Sequence, residues 1–97
     1  MINQNTTEKT IFYDRVRKTL SEVFNQSIDK QYDQTSLQEI PNIDYDSLTA
    51  LECVGAIEEE FGITINIIED DVMYNFQSIK NISTLVQKKV ADNNTLN

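Results

Sequence analysis

Asp46-Ser47-Leu48 places one hydroxyl where a polar, unpatterned stretch gives way to an apolar-periodic one. Two chemistries fit a serine there. As a helix N-cap, its oxygen accepts a hydrogen bond from a free backbone N–H of the first turn. As a modified serine, it would hold a phosphate ester against those same N–H groups, which favour an anion. A helix start after a long loop is also open to a modifying enzyme. Residue type alone does not separate the two readings.

Other chemistries meet absences. The chain has 97 residues, no histidine and a single cysteine, Cys53. It cannot form an internal disulfide, assemble a Cys/His zinc site or build a Ser-His-Asp or Cys-His engine. Cys53 falls on the apolar side of its helix and reads as a buried, inert thiol. A calcium loop needs glycine at its sixth position and glutamate at its twelfth. From Asp44 these positions hold Thr49 and Gly55, and from Asp29 they hold Gln34 and Ile40. No metal site and no catalytic residue is expected, although carboxylates are abundant.

The charge pattern narrows the partners. Net charge is −8, and no lysine or arginine occurs from Gln31 to Ile79. That span holds eleven acids, from Asp33 to Asp71, while all eight basic residues lie in the flanks. Such a field repels phosphate backbones and anionic lipid and attracts basic protein surfaces. Nucleic-acid binding is not expected. No apolar run is long enough to span a membrane. The opening residues MINQNTTEKT have neither an apolar core nor an Arg-rich character, so no signal or transit peptide is expected. A cytoplasmic monomer is the expectation.

These residues need elements to hold them. One domain is expected at this length. Two glycines and one proline argue against an all-β fold. Phe12, Val16, Leu20, Val23 and Phe24 recur at helical spacing and predict a helix from about Thr7 to Asn25, capped by Thr6 or Thr7, with Glu8 in its first turn. Residues 26–46 show no period, but Ile28, Tyr32, Leu37, Ile40 and Ile43 imply packing onto a core, and Pro41 excludes a helix interior there.

Ser47 to Phe61 reads as the second helix, with Asp46 or Ser47 as its cap and Gly62 at its left-handed end. Its apolar face is Ala50, Leu51, Cys53, Val54, Ile57 and Phe61. Glu52, Glu59 and, at the edge, Glu58 continue from Asp46 as a docking strip for basic partners. Glu60 reads as plain solvated surface. Gly55 is unusual inside a helix and leaves room on the exposed side.

Ile63, Ile65 and Ile67 alternate with polar residues. A lone strand has no partner, so they read as an extended connector plugging the core. Glu69 to Phe76 predicts a short third helix with acids in its first turn. Ser78 caps a last helix along Ile79, Ile82, Leu85, Val86 and Val90, with Lys88 and Lys89 near its end. The expected fold is all-α: three main helices and one short one, with a long loop between the first two. Residues 7–91 form the domain, and 1–6 and 92–97 are expected to be flexible.

Taken together, these residues resemble the acyl carrier proteins. Asp46-Ser47-Leu48 opens an acidic helix that ends Glu58-Glu59-Glu60-Phe61-Gly62-Ile63, thirteen residues on by the Glu-Glu-x-Phe pattern. A long loop and an amphipathic helix precede it, and a Phe76-x-Ser78-Ile79-x-Asn81-Ile82 entry into the last helix follows. The likeness covers about Glu8 to Val90.

The resemblance implies that Ser47 carries 4′-phosphopantetheine, installed from coenzyme A by a phosphopantetheinyl transferase. The arm's thiol would hold acyl groups as thioesters for presentation to acyl-loading and acyl-processing enzymes with basic docking surfaces. The helices would shelter the acyl chain, and the carrier itself would be no enzyme. It also implies that Asp46 and Leu48 flank the attachment point, with Asp46 close to the transferase's magnesium-dependent step. Leu48, Glu52, Glu58 and Glu59 would be read by partners, and Ile65 would match a nearby apolar contact.

Three departures are visible. Asp44-Tyr45 stands where many members have a small pair such as Gly-Ala, Gly55 where many have a bulky apolar residue, and Ile65-Asn66-Ile67 where Ile-Pro-Asp is common. They point to a dedicated carrier in a specialised polyketide, fatty-acid or lipid-modified metabolite pathway. Peptidyl carriers usually show Gly-Gly-His or Gly-Gly-Asp before the serine. A peptidyl or D-alanyl carrier, or an acidic helical interaction module that is never modified, are the alternatives.

Overall fold

The computed structural model describes residues 4–96, with side chains from 9 to 93. The fold is all-α: α1 spans Gln4–Phe24, α2 Ser47–Phe61, α3 Val72–Asn75 and α4 Ile79–Leu96. No strand occurs among the described residues. The first helix packs on both α2 and α4, and α3 packs on α4.

The helix α1 buries Val16 and Leu20 completely, with Phe12, Val23 and Phe24 at the core edge. It stops at Asn25, whose φ of 51° is left-handed, a conformation asparagine tolerates better than most residues. The N–H groups of Asn25 and Gln26 then turn back to the carbonyls of Glu22 and Ser21, satisfying two helix-end acceptors. At its other end α1 begins by Gln4, so Thr6 and Thr7 lie inside it rather than capping it, and Glu8 is not in the first turn. Residues 1–3 and 97 of the expected tails lie outside the described residues; 4–6 and 92–96 continue the two long helices.

The long connection is a packed structure. It holds two short 3-10 turns, Lys30–Tyr32 and Leu37–Glu39. Ile28, Leu37, Ile40 and Ile43 are buried in the core, each contributing about 2 kcal/mol of apolar burial. Asp33 ties the loop to two helices. Its carboxylate accepts from the Arg17 guanidinium at Nε, 2.9 Å, and at a terminal nitrogen. Its carbonyl accepts the Lys80 N–H at 2.8 Å. Further along, the Leu37 N–H donates to the Gln77 carbonyl at 2.8 Å.

Past α2 the connector buries Ile63 and Ile65, but Ile67 is half-exposed and does not plug the core. A tight turn displaces it. The Asn66 carboxamide oxygen accepts from the N–H groups of Ile68 and Glu69, and Asp70 Oδ2 accepts from the Asn66 N–H. This turn uses the residues expected to start α3, so α3 is a single turn from Val72, with Glu69, Asp70 and Asp71 before it. Lys89 pairs with Asp70 at 2.7 Å. Ser78 does cap α4, its Oγ accepting the Asn81 N–H at 3.1 Å. The helix runs on to Leu96, so Lys88 and Lys89 are not in its last turn, and the Asp70 pair replaces the expected dipole contact.

Candidate functional site

The start of α2 is built by its neighbours, not by Ser47. Asp46 is the N-cap: its Oδ1 accepts the Thr49 N–H at 2.9 Å. In return, Thr49 Oγ1 accepts the Asp46 N–H at 2.8 Å. This reciprocal pair satisfies donors that a helix start otherwise leaves free. Ser47 is thus the first helical residue, exposed, and none of the capping bonds uses its hydroxyl. Of the two caps that the sequence allowed, the structure takes Asp46, and the reading of Ser47 as a cap falls away. The Asp-x-x-Thr spacing was a visible signal of this, since threonine can answer a capping aspartate as glutamate answers a capping serine.

The loop side of Ser47 is also fixed. Ile43 is buried, and the Tyr45 hydroxyl donates to the Phe76 carbonyl at 2.7 Å. The Tyr45 ring packs tilted against Phe24, with centroids 6.1 Å apart. Burial raises the Tyr45 pKa above its usual value, so the phenol remains a donor. Asp46 moves the other way. The Thr49 N–H, and then the Thr49 hydroxyl, hold its carboxyl below the ordinary carboxylate range. An ionised carboxylate therefore stands next to the Ser47 hydroxyl at neutral pH.

A groove of about 440 Å³ opens beside Ser47. Leu51, Ile67, Val72 and Met73 give it apolar walls, and Ser36, Gln38 and Gln77 a polar side. Among the described residues, six of the seven large, exposed apolar side chains fall between residues 48 and 74: Leu48, Leu51, Ile67, Ile68, Met73 and Tyr74. Leu51 is 49% exposed, so it leaves the apolar core face on which its spacing placed it. Ala50 and Phe61 are only half-buried, and Cys53, Val54 and Ile57 form the buried stripe. Burial pushes the Cys53 thiol up to about 12, which makes it a poor nucleophile.

The acids divide into engaged and open groups. Glu58 Oε2 accepts the Ile65 N–H at 2.8 Å and fixes the connector. Glu60, expected to be plain solvated surface, pairs with Arg15 at 3.1 Å, and that guanidinium lies 4.3 Å from the Phe61 ring centre. Glu52 and Glu59 are exposed, and no ion pair among the described residues uses them. Gly55 is exposed, and a Cβ there would meet nothing within 4 Å. Ile65 is 6% exposed, so it cannot offer the apolar contact expected of it; its neighbours Ile67 and Ile68 are the isoleucines that reach the surface. Sequence reasoning missed Ile68, Met73 and Tyr74, although in an extended connector the adjacent isoleucines Ile67 and Ile68 would point to opposite faces.

Residues 14–86 match the family model described as the phosphopantetheine attachment site. The chain belongs to this family. Neither a curated protein nor a solved structure matches it. A phosphopantetheine attachment domain is the site of covalent 4′-phosphopantetheine attachment, and such domains are generally non-catalytic carriers that work with a phosphopantetheinyl transferase and partner enzymes. The residues of this domain fit that group. An exposed serine hydroxyl at a helix start, outside the capping bonds, can take a phosphodiester without unmaking the cap, and an apolar-walled groove adjoins it. No helix among the described residues is long and apolar enough to cross a membrane.

Proposed function

We propose that Ser47 is the attachment residue and that the domain is an acyl carrier. The observation that carries this reading is the division of labour at the start of α2, where Asp46 and Thr49 hold the helix and leave the Ser47 hydroxyl outside the capping bonds. When bound, the 4′-phosphopantetheine group supplies a terminal thiol that holds acyl chains as thioesters. The chain's own residues do the rest. Ser47 Oγ provides the ester oxygen, and the open first turn of α2 favours the phosphate. Asp46, held ionised by Thr49, is a weak base. Asp46 would be available to the magnesium-dependent step of the transferase. The groove walls Leu51, Ile67 and Met73 keep water from an apolar cargo.

Partners read the same face. Leu48 offers an exposed apolar contact next to the attachment point, and Glu52 and Glu59 offer open charge to basic docking surfaces. Gly55 lies between them on α2. Tyr45 and Gly55, in two of the three departures from the common family pattern, support a dedicated partner set, as in a specialised polyketide, fatty-acid or lipid-modified metabolite pathway. The carrier acts as a cytoplasmic monomer.

The test is chemical. The apo protein is incubated with coenzyme A, magnesium and a phosphopantetheinyl transferase of broad specificity, and its intact mass is taken. Wild type gains one phosphopantetheinyl group and Ser47→Ala gains none. A wild type that gains nothing, or a Ser47→Ala variant that is still modified, overturns the reading.

A further inference from the structure

Tyr45 stands where two elements would have to part. It directly precedes the Asp46 cap of α2, and Phe76 directly follows α3. The bond from the Tyr45 hydroxyl to the Phe76 carbonyl therefore joins the start of α2 to the end of α3. Both residues line the groove beside Ser47. Phe76 is 2% exposed and belongs to the core, and Val72, also in the groove wall, is 6% exposed. The Tyr45 ring packs against that core and against Phe24. The groove thus has an exposed apolar lip, Leu51, Ile67 and Met73, and a wall that is tied shut.

Resting on the reading of Ser47 as the attachment residue, we infer that Tyr45 is a specificity-determining residue: it closes the core to the carried acyl chain, confines that chain to the surface groove, and so suits this carrier to acyl groups no longer than the groove. Two physical effects support the closure. A chain entering between α2 and α3 must break the Tyr45 bond and leave the Phe76 carbonyl unpaired in a buried position. It must also displace fully buried side chains such as Ile57 and Ile82, in an interior that does not accept extra methylenes without strain. Lying in the groove requires neither. Leu51, Ile67 and Met73 are already exposed and gain from being covered.

The experiment loads the intact protein from butyryl-, octanoyl- and hexadecanoyl-coenzyme A with a phosphopantetheinyl transferase. Loading is checked by intact mass, and methyl NMR spectra are compared. In wild type, the octanoyl and hexadecanoyl forms should shift the groove methyls of Leu51 and Ile67 relative to the butyryl form. The core methyls of Ile57 and Ile82 should stay in place. In Tyr45→Ala, hexadecanoyl loading should shift Ile57 and Ile82 as well. Tyr45→Phe keeps the ring and loses the bond, and should show the core shifts more weakly; it serves alone if the alanine variant does not fold. Wild-type core shifts as large as those of the variants overturn the inference, as do groove methyls that ignore the octanoyl chain or variant cores that ignore the hexadecanoyl chain. A protein that takes no load at Ser47 overturns the carrier reading instead, and the mass spectrum distinguishes that failure from the others.

Discussion

The face where the long loop meets α1 and α4 and the face around the start of α2 treat their charges in opposite ways. On the first, Arg17 is joined to Asp14 and Asp33, and both partners of the Arg17–Asp33 pair are largely buried. Asp33 also accepts the Lys80 N–H through its carbonyl, so one residue fastens loop, α1 and α4. On the second, Glu52 and Glu59 stand exposed, outside the ion pairs, and Leu48, Leu51 and Met73 project into solvent. Bonding that is spent internally stabilises a shape but offers nothing to a partner. Charge and apolar surface left open do the reverse, at the cost of self-repulsion. The bonds that do exist near Ser47, from Asp46, Thr49 and Tyr45, place it without engaging its hydroxyl.

The sharpest way to break this contrast is at Ser47. Ser47→Ala should abolish phosphopantetheine attachment completely while leaving the thermal melt within a degree or so of wild type, because the cap belongs to Asp46. A large loss of melting temperature would show that Ser47 holds the fold after all. Arg17→Ala tests the opposite face. It leaves the Asp33 carboxylate largely buried without its partner, and a denaturant titration should show a loss of about 3 kcal/mol. Attachment at Ser47 should persist in that variant under conditions where it remains folded.

Asp46 lies between these extremes. Its folded carboxyl is held below its ordinary pKa, first by the Thr49 N–H and then by the Thr49 hydroxyl. A depressed folded value means that the stabilisation is fully present above the unfolded pKa and is lost as pH falls through the folded one. Melting curves from neutral to acid pH should therefore show wild type losing a share of its stability that Asp46→Asn does not lose. At neutral pH the asparagine variant should melt slightly lower, since asparagine still caps a helix but without the charge at its positive end. Parallel pH profiles for the two proteins would remove Asp46 from the account of how the site is held.

How much of this could be read in advance follows the same divide. The bounds of α2, the left-handed Gly62 and the Ser78 cap follow from local patterns that chemistry fixes within one turn, and they appear as expected. The buried isoleucines of the long loop were legible because a polar stretch has no other use for them. What the pattern missed depends on contacts distant in sequence or on turns that override it. Asn66 and Asp70 coil the connector and turn Ile67 outward, which no alternation rule anticipates. Glu58 looked like docking charge but bonds the Ile65 N–H, seven residues away. Tyr45 stood out in the sequence only as a departure, and its bond to Phe76, thirty-one residues on, gives it a role.

The smallest expected effect separates the two faces most cleanly. Gly55 is exposed in the middle of α2, and nothing lies within 4 Å of where a Cβ would sit. Glycine there costs the helix about 1 kcal/mol relative to alanine. Gly55→Ala should therefore raise stability by about that amount, read as a higher denaturant midpoint with an unchanged slope. Since no packing inside the protein requires the glycine, any loss of function in a more stable variant must arise outside it. A slower transfer to or from a partner enzyme, with attachment at Ser47 unchanged, would place Gly55 under a docked surface. Unchanged transfer would confine the docking face to Leu48, Glu52 and Glu59 and leave Gly55 outside it.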